Sequence, residues 1–441
     1  MTFTIALQFL VVLAAIWMGA RSSGVGLGLW GAVGLLVLVA GFGINPTSPP
    51  IDVMLIILAV IMAASVMEAA GGIDFLVRIA ERIIRANPKY VTIVAPLTTW
   101  TFTFVAGTGH IVYPLLPVIY ETAHRSGIRP ERPMAVATIA SQQAITASPV
   151  AAATAAMIGL FAEKGMTQWG LPQILMVCVP ATLTGVVAAA IVSMFVGKDL
   201  KDDPEYQARL AAGQIPAPQA DTSRTPLKPG ARLSAFIFLA GVALVVLFGF
   251  FPSLRQLPGA KSPLAMPIVI EILMMSVAAI MLLLTKVPVD EVPKTATLRA
   301  GVVAVIGIFG LAWLGDSFIA ANKDVIVPAI GDWAKVAPWT FAFGLFLASV
   351  LLYSQAATTR ALMPLGIALG IPPQFLIAMF PSVNGYFFIP TYGSLIAAIN
   401  FDLSGTTKIG KYVLNHSFMI PGLVATSVAV FTGLLIAQAI F

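Results

Sequence analysis

The sequence predicts an all-α polytopic membrane protein. Apolar residues make up 59% of its 441 residues and charged residues only 10%, and the mean hydropathy of +0.94 is too high for a water-soluble domain of this length. The single cysteine, Cys178, excludes an internal disulfide and has apolar neighbours, which favours a packing role. The net charge of +6 comes mostly from short connections between apolar runs, so it indicates membrane topology and no nucleic-acid partner.

Ten apolar runs are each long enough to cross a lipid bilayer, at about 17 to 25 residues per crossing. They cover residues 3–20, 24–43, 51–70, 134–163, 170–196, 232–252, 265–286, 300–320, 372–399 and 412–440. The first run has no basic residue before it and no small-residue cleavage site after it. We therefore expect a retained helix there and not a signal peptide.

Two further apolar runs are interrupted at their middles. Residues 90–120 contain the string AGTGH, and residues 340–370 contain SQAATTR. Such interruptions predict re-entrant helical hairpins, which enter the membrane and return on the same side. Non-helical backbone at membrane depth is tolerated only where it is buried or lines a cavity, so both tips should do one or the other.

The basic residues predict the orientation of the chain. With the amino terminus outside, 19 of the 25 lysines and arginines fall on the cytoplasmic side, five fall on the other side and Arg360 lies within a span. This asymmetry follows the positive-inside rule and places both termini in the periplasm.

A polar segment divides the chain into two similar halves. Residues 197–231 are rich in charge and proline, which is typical of a cytoplasmic linker between residues 1–196 and residues 232–441. Each half then has five transmembrane helices and one re-entrant helical hairpin, and an odd number of crossings makes the halves inverted repeats, as in inverted-repeat transporters. In each half a later helix carries a serine eight positions before a proline, Ser141 with Pro149 and Ser382 with Pro390. Coincidence between common residues is the alternative.

The two prolines predict broken helices within residues 134–163 and 372–399. Proline removes a backbone donor and disfavours a helical residue before it, so peptide groups are freed beside polar side chains. Freed amides, helix amino termini and neutral donors together suit a carboxylate. The candidate substrate-binding residues are Gly107, Thr108, Gly109, His110, Ser141, Gln142, Gln143, Thr146, Ser148, Ser354, Gln355, Thr358, Thr359, Arg360, Ser382, Asn384, Tyr386, Thr391 and Tyr392. The alternative is that these polar groups only join helices.

Arg360 is the most informative of these candidates. A charge within a membrane span costs about 2.5 to 3.5 kcal/mol or more unless it faces a cavity or a partner. Its planar guanidinium suits one carboxylate, although a snorkelling arginine near the hairpin mouth is the alternative. His110 could donate to a second carboxylate or carry a proton, and a structural histidine is equally compatible with the sequence.

Other chemistry has little support in the sequence. No zinc-hydrolase, nucleophile-elbow or phosphate-loop motif occurs, so we expect no enzyme, no metal site and no cofactor. Most acids in or beside spans lie close to a predicted end, where solvation or pairing is the default explanation. Among them, Glu68 could face Arg78 or the first hairpin, and Asp402 could cap the last helix; Asp316 is a third such acid.

Long motifs across almost the whole chain resemble the Dcu family of bacterial anaerobic C4-dicarboxylate transporters. They include GARSSGVGLGLWG, AGTGHIVYPLLPVIYE, IRPERPMAVATIASQQAITASPV, GLAWLGDSFI, LLYSQAATTRALMP and INFDLSGTTKIGKYVLNHSFMIPG. The WLGDSF and LLYSQAAT strings are more similar to the DcuA branch than to the DcuB branch. The resemblance implies an ion-transporter-superfamily-like fold with two re-entrant hairpins and two broken helices, and transport of aspartate, fumarate, malate and succinate.

The sequence therefore predicts a secondary carrier of the bacterial inner membrane that works by exchange, proton-coupled uptake or both. One substrate carboxylate would meet Arg360 and the second-half cluster, and the other would meet the first hairpin tip and the Ser141–Ser148 cluster. We also expect a homodimer, and a membrane sensor kinase is a further candidate partner. The alternatives are a carrier for another organic anion, a cation/proton antiporter, an intramembrane enzyme and a dicarboxylate sensor. A sodium site built from freed carbonyls is compatible with the same sequence.

Overall fold

A computed structural model of the chain describes residues 3–22, 24–215, 226–260, 262–352 and 354–441, with side chains at 20 and 326–336 left undescribed. Part of the predicted linker, residues 216–225, lies outside this description. The α-helices are α1 (Phe3–Ser22), α2 (Gly26–Phe42), α3 (Ile51–Ala69), α4 (Gly72–Ala86), α5 (Val91–Ala106), α6 (Val112–Arg125), α7 (Glu131–Gln143), α8 (Ala152–Glu163), α9 (Leu171–Ser193), α10 (Pro204–Ala211), α11 (Ala231–Phe250), α12 (Met266–Thr285), α13 (Ala296–Gly307), α14 (Trp313–Val336), α15 (Phe341–Leu352), α16 (Gln355–Ala368), α17 (Pro373–Met379), α18 (Gly393–Phe401) and α19 (Met419–Ile440).

The described residues form an all-helical bundle without named strands. Six stretches within the described part of the chain are long and apolar enough to cross a membrane, which confirms a multi-pass membrane protein: Ile51–Ala69, Leu171–Ser193, Ala231–Phe250, Met266–Thr285, Ala296–Val325 and Met419–Ile440. Short 3₁₀ turns lie at Pro88–Tyr90, Gly109–Ile111, Ala144–Thr146, Leu200–Asp202, Pro252–Arg255, Val289–Lys294, Pro338–Thr340 and Phe380–Phe387, and a π-helix lies at Ile308–Ala312.

The prolines open their helices as predicted. α7 ends in a 3₁₀ turn at Thr146 and α8 begins only at Ala152, so Pro149 lies in a non-helical segment. Likewise, the 3₁₀ turn after α17 ends at Phe387 and α18 begins at Gly393, which places Pro390 in a second break. The first hairpin turns at Gly107, whose φ of 71° is in the region that favours glycine.

The interruption of the second hairpin is shorter than the string SQAATTR predicted. The helix resumes at Gln355 because the Ser354 side chain accepts the backbone N–H of Ala357 at 3.2 Å, which caps the first turn. The hydroxyls of Thr358 and Thr359 then donate to carbonyls four residues earlier. These threonines and Arg360 therefore lie in the first turns of α16 and not in the break.

The bundle has two ends, which we call the linker end and the opposite end. At the linker end, the Lys228 ammonium donates to the Ala69 carbonyl at 2.9 Å. At the opposite end, the Trp169 and Phe441 rings contact edge to face. Since α11 begins near the first contact and ends near Leu171, it runs from the linker end to the opposite end.

The linker helix α10 is docked on the linker end by charged contacts. Arg129 pairs with Asp203 before α10 and with Glu131 in α7, and Arg209 of α10 donates to the Ser404 carbonyl at 2.7 Å. Burial raises the pKa of Asp203, but hydrogen bonds from Arg129 and from two backbone amides outweigh it and leave the pKa below its ordinary value. The linker therefore contacts both broken helices at the ends that we expect to face the cytoplasm.

Two acids have partners that the sequence did not suggest. The Glu68 carboxylate accepts the amides of Ala296 and Thr297, each at 3.0 Å, so it caps the start of α13, and it is also near enough to His110 of the first hairpin to act on it electrostatically. Asp402 accepts the amides of Ser404 and Thr407 at 2.9 and 2.6 Å, so it orders the loop after α18 and does not cap α19.

The middle of the bundle is closely packed. Helices α9 and α19 pack along one another, and Cys178 of α9 is buried with its thiol 3.5 Å from the Ile377 carbonyl, as its apolar context predicted. Elsewhere α2 crosses the π-helix at Gly28 and Gly31, where a Cβ at Gly310 would lie 1.7 Å from the Gly28 carbonyl oxygen. Backbone therefore meets backbone at this crossing, which only glycine permits.

Replacing Gly310 by alanine should destabilise the protein. A methyl group at Gly310 must push apart two backbones, and overpacking of this kind costs about 1 to 3 kcal/mol. The thermal unfolding midpoint in detergent measures the effect. Gly344→Ala is the matched control, because a Cβ there meets no atom within 4 Å. Equal midpoints for the two variants would show that the crossing is looser than described.

Candidate functional site

The candidate site is a cavity of about 150 Å³ where the two hairpin tips meet. The first hairpin lines it with Gly107–His110 and Tyr113, and the second with Ser354, Gln355 and Ala356. Gln142 and Val150 border the first helix break, and Tyr392 borders the second. The remaining wall comes from α3 and from the first turns of α13, so the cavity extends toward the linker end.

Three helix amino termini converge on the cavity. The 3₁₀ turn leading into α6 supplies Gly109 and His110, α8 supplies Ala152 and Ala153, and α16 supplies Gln355 and Ala356. No described side chain caps α8, so the amides of its first turn have no side-chain acceptor among the described residues, and Ala152 and Ala153 of that turn line the cavity. Converging amino termini give the site a positive potential without a charged residue, which suits an anion.

The side chains around the cavity are neutral hydrogen-bonding groups. The hydroxyls of Thr108, Tyr113, Ser354 and Tyr392, the Gln142 and Gln355 amides and the His110 imidazole all reach it, and the described lining contains no aspartate or glutamate. The His110 and Tyr113 rings stack with centroids 5.9 Å apart. A site rich in donors and poor in carboxylates disfavours a bound cation.

Buried amides join the two halves of the chain beside the cavity. Gln355 Nε2 donates to Gln142 Oε1 at 3.0 Å and to Asn384 Oδ1 at 3.1 Å. Asn384 Nδ2 donates to Gln143 Oε1 at 3.4 Å, and Gln143 Nε2 donates to Thr426 Oγ1 at 2.8 Å. These four amide side chains came from separate clusters in the sequence and form one network in the structure.

The other predicted hydroxyls lie away from the cavity lining. The side chains of Ser141, Thr146, Thr358, Thr359, Ser382 and Thr391 each donate to a nearby backbone carbonyl, and Ser148 accepts the amide of Val150. The Tyr386 hydroxyl is buried without a hydrogen-bond partner among the described residues, and its ring lies 4.9 Å from that of Tyr392. Local hydrogen bonds of this kind satisfy backbone groups near the helix ends.

Arg360 is fully buried and has two carboxylate partners. Its Nη1 lies 2.9 Å from Glu163 Oε2 at the end of α8, and its Nη2 lies 3.1 Å from Asp316 Oδ2 on α14. We call these three residues the arginine triad. Arg360 does not line the cavity, and it lies four residues, about 6 Å of helix rise, beyond the cavity-lining Ala356. The sequence predicted an anionic partner for Arg360, and in this arrangement two carboxylates of the protein are its partners.

Sequence reasoning missed several of these residues. Glu163 lies at a helix end where acids are usually solvated, Thr426 lies in an apolar helix, and Thr297 borders a helix start. Tyr113 had a detectable signal, since it stands three positions after His110, one helical turn along the same hairpin.

Solved structures with the same overall arrangement are those of membrane transporters. The YdaH transporter of Alcanivorax borkumensis superimposes with a TM-score of 0.59 at 13% identity, covering 94% of this chain and 98% of that one. MtrF of Neisseria gonorrhoeae, described as one of a class of antimetabolite efflux pumps, gives a TM-score of 0.52 at 14% identity, covering 92% and 84%. At these identities the likeness shows the fold alone.

Relatives found by sequence are much more similar to this chain than these solved structures are. A model of the anaerobic C4-dicarboxylate membrane transporter family matches residues 4–441. The transporter DcuB of Escherichia coli O6:H1 is 40% identical over 443 residues, covering 99% of both chains. DcuA of Wolinella succinogenes is 41% identical over 431 residues and covers 98% of both chains. The chain therefore belongs to the family of anaerobic C4-dicarboxylate membrane transporters, and it is a transporter and not an enzyme.

Proposed function

We propose that this protein is a secondary carrier of C4-dicarboxylates, with aspartate, fumarate, malate and succinate as its substrates. The single observation that carries the proposal is the convergence of three helix amino termini on one cavity lined by neutral donors. Each end of a short dianion can then meet a hairpin tip, with Thr108 and His110 at one end and Ser354 and Gln355 at the other. The cavity is also smaller than the roughly 300 Å³ minimum of drug-sized sites, as a four-carbon substrate requires.

The proposed transport cycle moves the hairpins and broken helices as one body. This moving body comprises α5 to α9 and α15 to α19, and the scaffold comprises α1 to α3 and α11 to α14. Packing supports the division, since α5 packs on α7, α15 packs on the 3₁₀ turn Phe380–Phe387, and α9 packs on α19. The cavity lies between this body and scaffold helices α3 and α13, where movement would expose it to alternate sides.

We further propose that the two halves are inverted repeats of five transmembrane helices and one re-entrant hairpin. Apart from α4, and with α13 and α14 counted as one span, each half contains three helices, a helix pair that turns at a polar tip, a broken helix and a final long helix, which supports this pairing. The distribution of basic residues supports an inner-membrane protein with both termini in the periplasm and the linker end in the cytoplasm.

Exchange and proton-coupled uptake are both part of the proposal. Exchange of two dicarboxylates needs no ion because the carrier is loaded in both directions, whereas net uptake of a dianion requires compensating cations. A homodimer and a membrane sensor kinase remain proposed partners. Another organic anion is the second candidate substrate class, while the neutral lining speaks against a cation/proton antiporter.

Counterflow in proteoliposomes tests the proposed function. Labelled aspartate should enter vesicles preloaded with fumarate faster than empty vesicles. Gln355→Leu should reduce this entry by about ten-fold, because it removes a donor from the cavity and leaves two buried amides unpaired, at a cost of about 1 to 3 kcal/mol. Gln438→Leu, the same change at an exposed position of α19, is the matched control. Equal aspartate entry into loaded and empty vesicles would contradict exchange.

Gly109→Ala should weaken transport without unfolding the protein. A Cβ at Gly109 would lie 2.3 Å from Gln142 Nε2, the end of a flexible side chain, so Gln142 must leave its place at the cavity. We expect a raised KM in the counterflow assay and an unchanged unfolding midpoint. Gly41→Ala serves as control because a Cβ there meets nothing within 4 Å. An unchanged KM for Gly109→Ala would exclude Gln142 from substrate binding.

A further inference from the structure

We infer that Asp316 is the proton-binding residue of net dicarboxylate uptake, and that Arg360 links its protonation to substrate binding. The inference rests on the proposed carrier function and deepens it. In this scheme Arg360 alternates between two partners, the Asp316 carboxylate and one carboxylate of the substrate. Asp316 takes up a proton when Arg360 leaves it and releases the proton when Arg360 returns.

The charges of the arginine triad do not balance. One guanidinium faces two carboxylates, so the fully ionised triad has one negative charge in excess. The Glu163 side chain is 35% exposed and can be solvated, whereas that of Asp316 is 7% exposed. Since burial penalises the charged form, Asp316 and not Glu163 is the carboxylate that must bind a proton when it loses its guanidinium partner.

Two atoms of the arginine triad have hydrogen-bonding capacity that no described residue uses. Arg360 Nε and Asp316 Oδ1 are both buried without a partner among the described residues. Arg360 can therefore donate to one further acceptor, and Asp316 has a free oxygen for a proton. Buried polar atoms are rarely left unpaired, so this pair of vacant positions marks a place where partners change.

The surroundings of Asp316 contain few other charges. Besides Arg360 and Glu163, Lys164 at the end of α8 is near enough to act on it electrostatically. Of the elements that pack on α14, α2, the π-helix and the turn Pro338–Thr340 carry no charged residue, and α1 carries only Arg21 at its far end. On α14 itself, Lys323 and Asp324 lie about two helical turns away.

The position of the triad explains how protonation can be tied to movement. Arg360 and Glu163 belong to the proposed moving body and Asp316 to the scaffold, so of the two ion pairs in the triad the Arg360–Asp316 pair is the one that joins the two bodies. Arg360 is also one helical turn from the cavity-lining start of α16. When a substrate carboxylate engages Arg360, Asp316 loses its partner while still buried, and it must bind a proton. The loaded carrier then crosses with one proton, and the unloaded carrier returns with the ion pair restored.

Two transport modes separate this inference from the proposed function. Succinate exchange without a pH gradient measures the carrier alone, and uptake into empty vesicles under an inward proton gradient, with the potential clamped, measures coupling. The exchange rate of Asp316→Asn should stay within about three-fold of the wild-type rate. Its rate of gradient-driven uptake should be at least about ten-fold lower than that of wild type. Glu163→Gln, the matched change in the solvated carboxylate, should retain the response to the gradient.

The outcomes of this comparison are distinct. Absence of exchange in wild type would overturn the proposed function and this inference together. Gradient-driven uptake by Asp316→Asn at the wild-type level would overturn the inference alone. Loss of both modes in folded Asp316→Asn would also overturn it, because Asp316 would then be needed by the loaded carrier itself.

An infrared measurement detects the protonation directly in the wild-type protein. Adding succinate should produce a protonated-carboxyl band in the difference spectrum, which Glu163→Gln should retain and Asp316→Asn should lose. If Asp316→Asn is unstable, Asp316→Glu keeps a titratable group and should shift the band. A spectrum without that band in wild type, or with the same band in Asp316→Asn, would contradict the inference.

Discussion

The structure depends on one constraint, namely that peptide groups freed by a break in a helix must find partners inside an apolar bundle. The chain breaks at four places, near Gly107, Pro149, Ser354 and Pro390. Threonine and serine side chains beside the breaks accept the amides of His110, Val150 and Ala357, and the uncapped start of α8 lines the cavity. The helix breaks would destabilise the protein in lipid if their peptide groups stayed unpaired, and the same breaks supply hydrogen-bond donors for an anion.

Charge and binding are kept apart in this protein. The cavity attracts an anion through helix ends and neutral donors, while the guanidinium of Arg360 is held one turn away by Glu163 and Asp316. A permanent cation in the cavity would hold a dianion tightly and slow its release. A charge that must first exchange partners can instead favour binding only at one stage of the cycle.

Much of this arrangement could be predicted from the sequence because it depends on local signals. Apolar runs, the prolines at 149 and 390, and the glycine-rich hairpin tip at residues 107–110 each specify their own conformation. The meeting of Gln142, Gln355 and Asn384 could not be predicted in the same way, since it depends on packing between distant segments. The pairing of Arg360 with Glu163 and Asp316 could not be predicted either, because both acids stand in sequence contexts that are typical of solvated helix ends.

The most direct measurement is a structure of the full-length protein with bromosuccinate, in which anomalous scattering locates the bromine. The account predicts a bromine peak in the cavity between Gly109 and Gln355, and an Arg360 guanidinium that has left Asp316 for a ligand carboxylate. A peak outside the cavity would contradict the binding site. A ligand in the cavity with the Arg360–Asp316 pair intact would keep the site and contradict the exchange of partners.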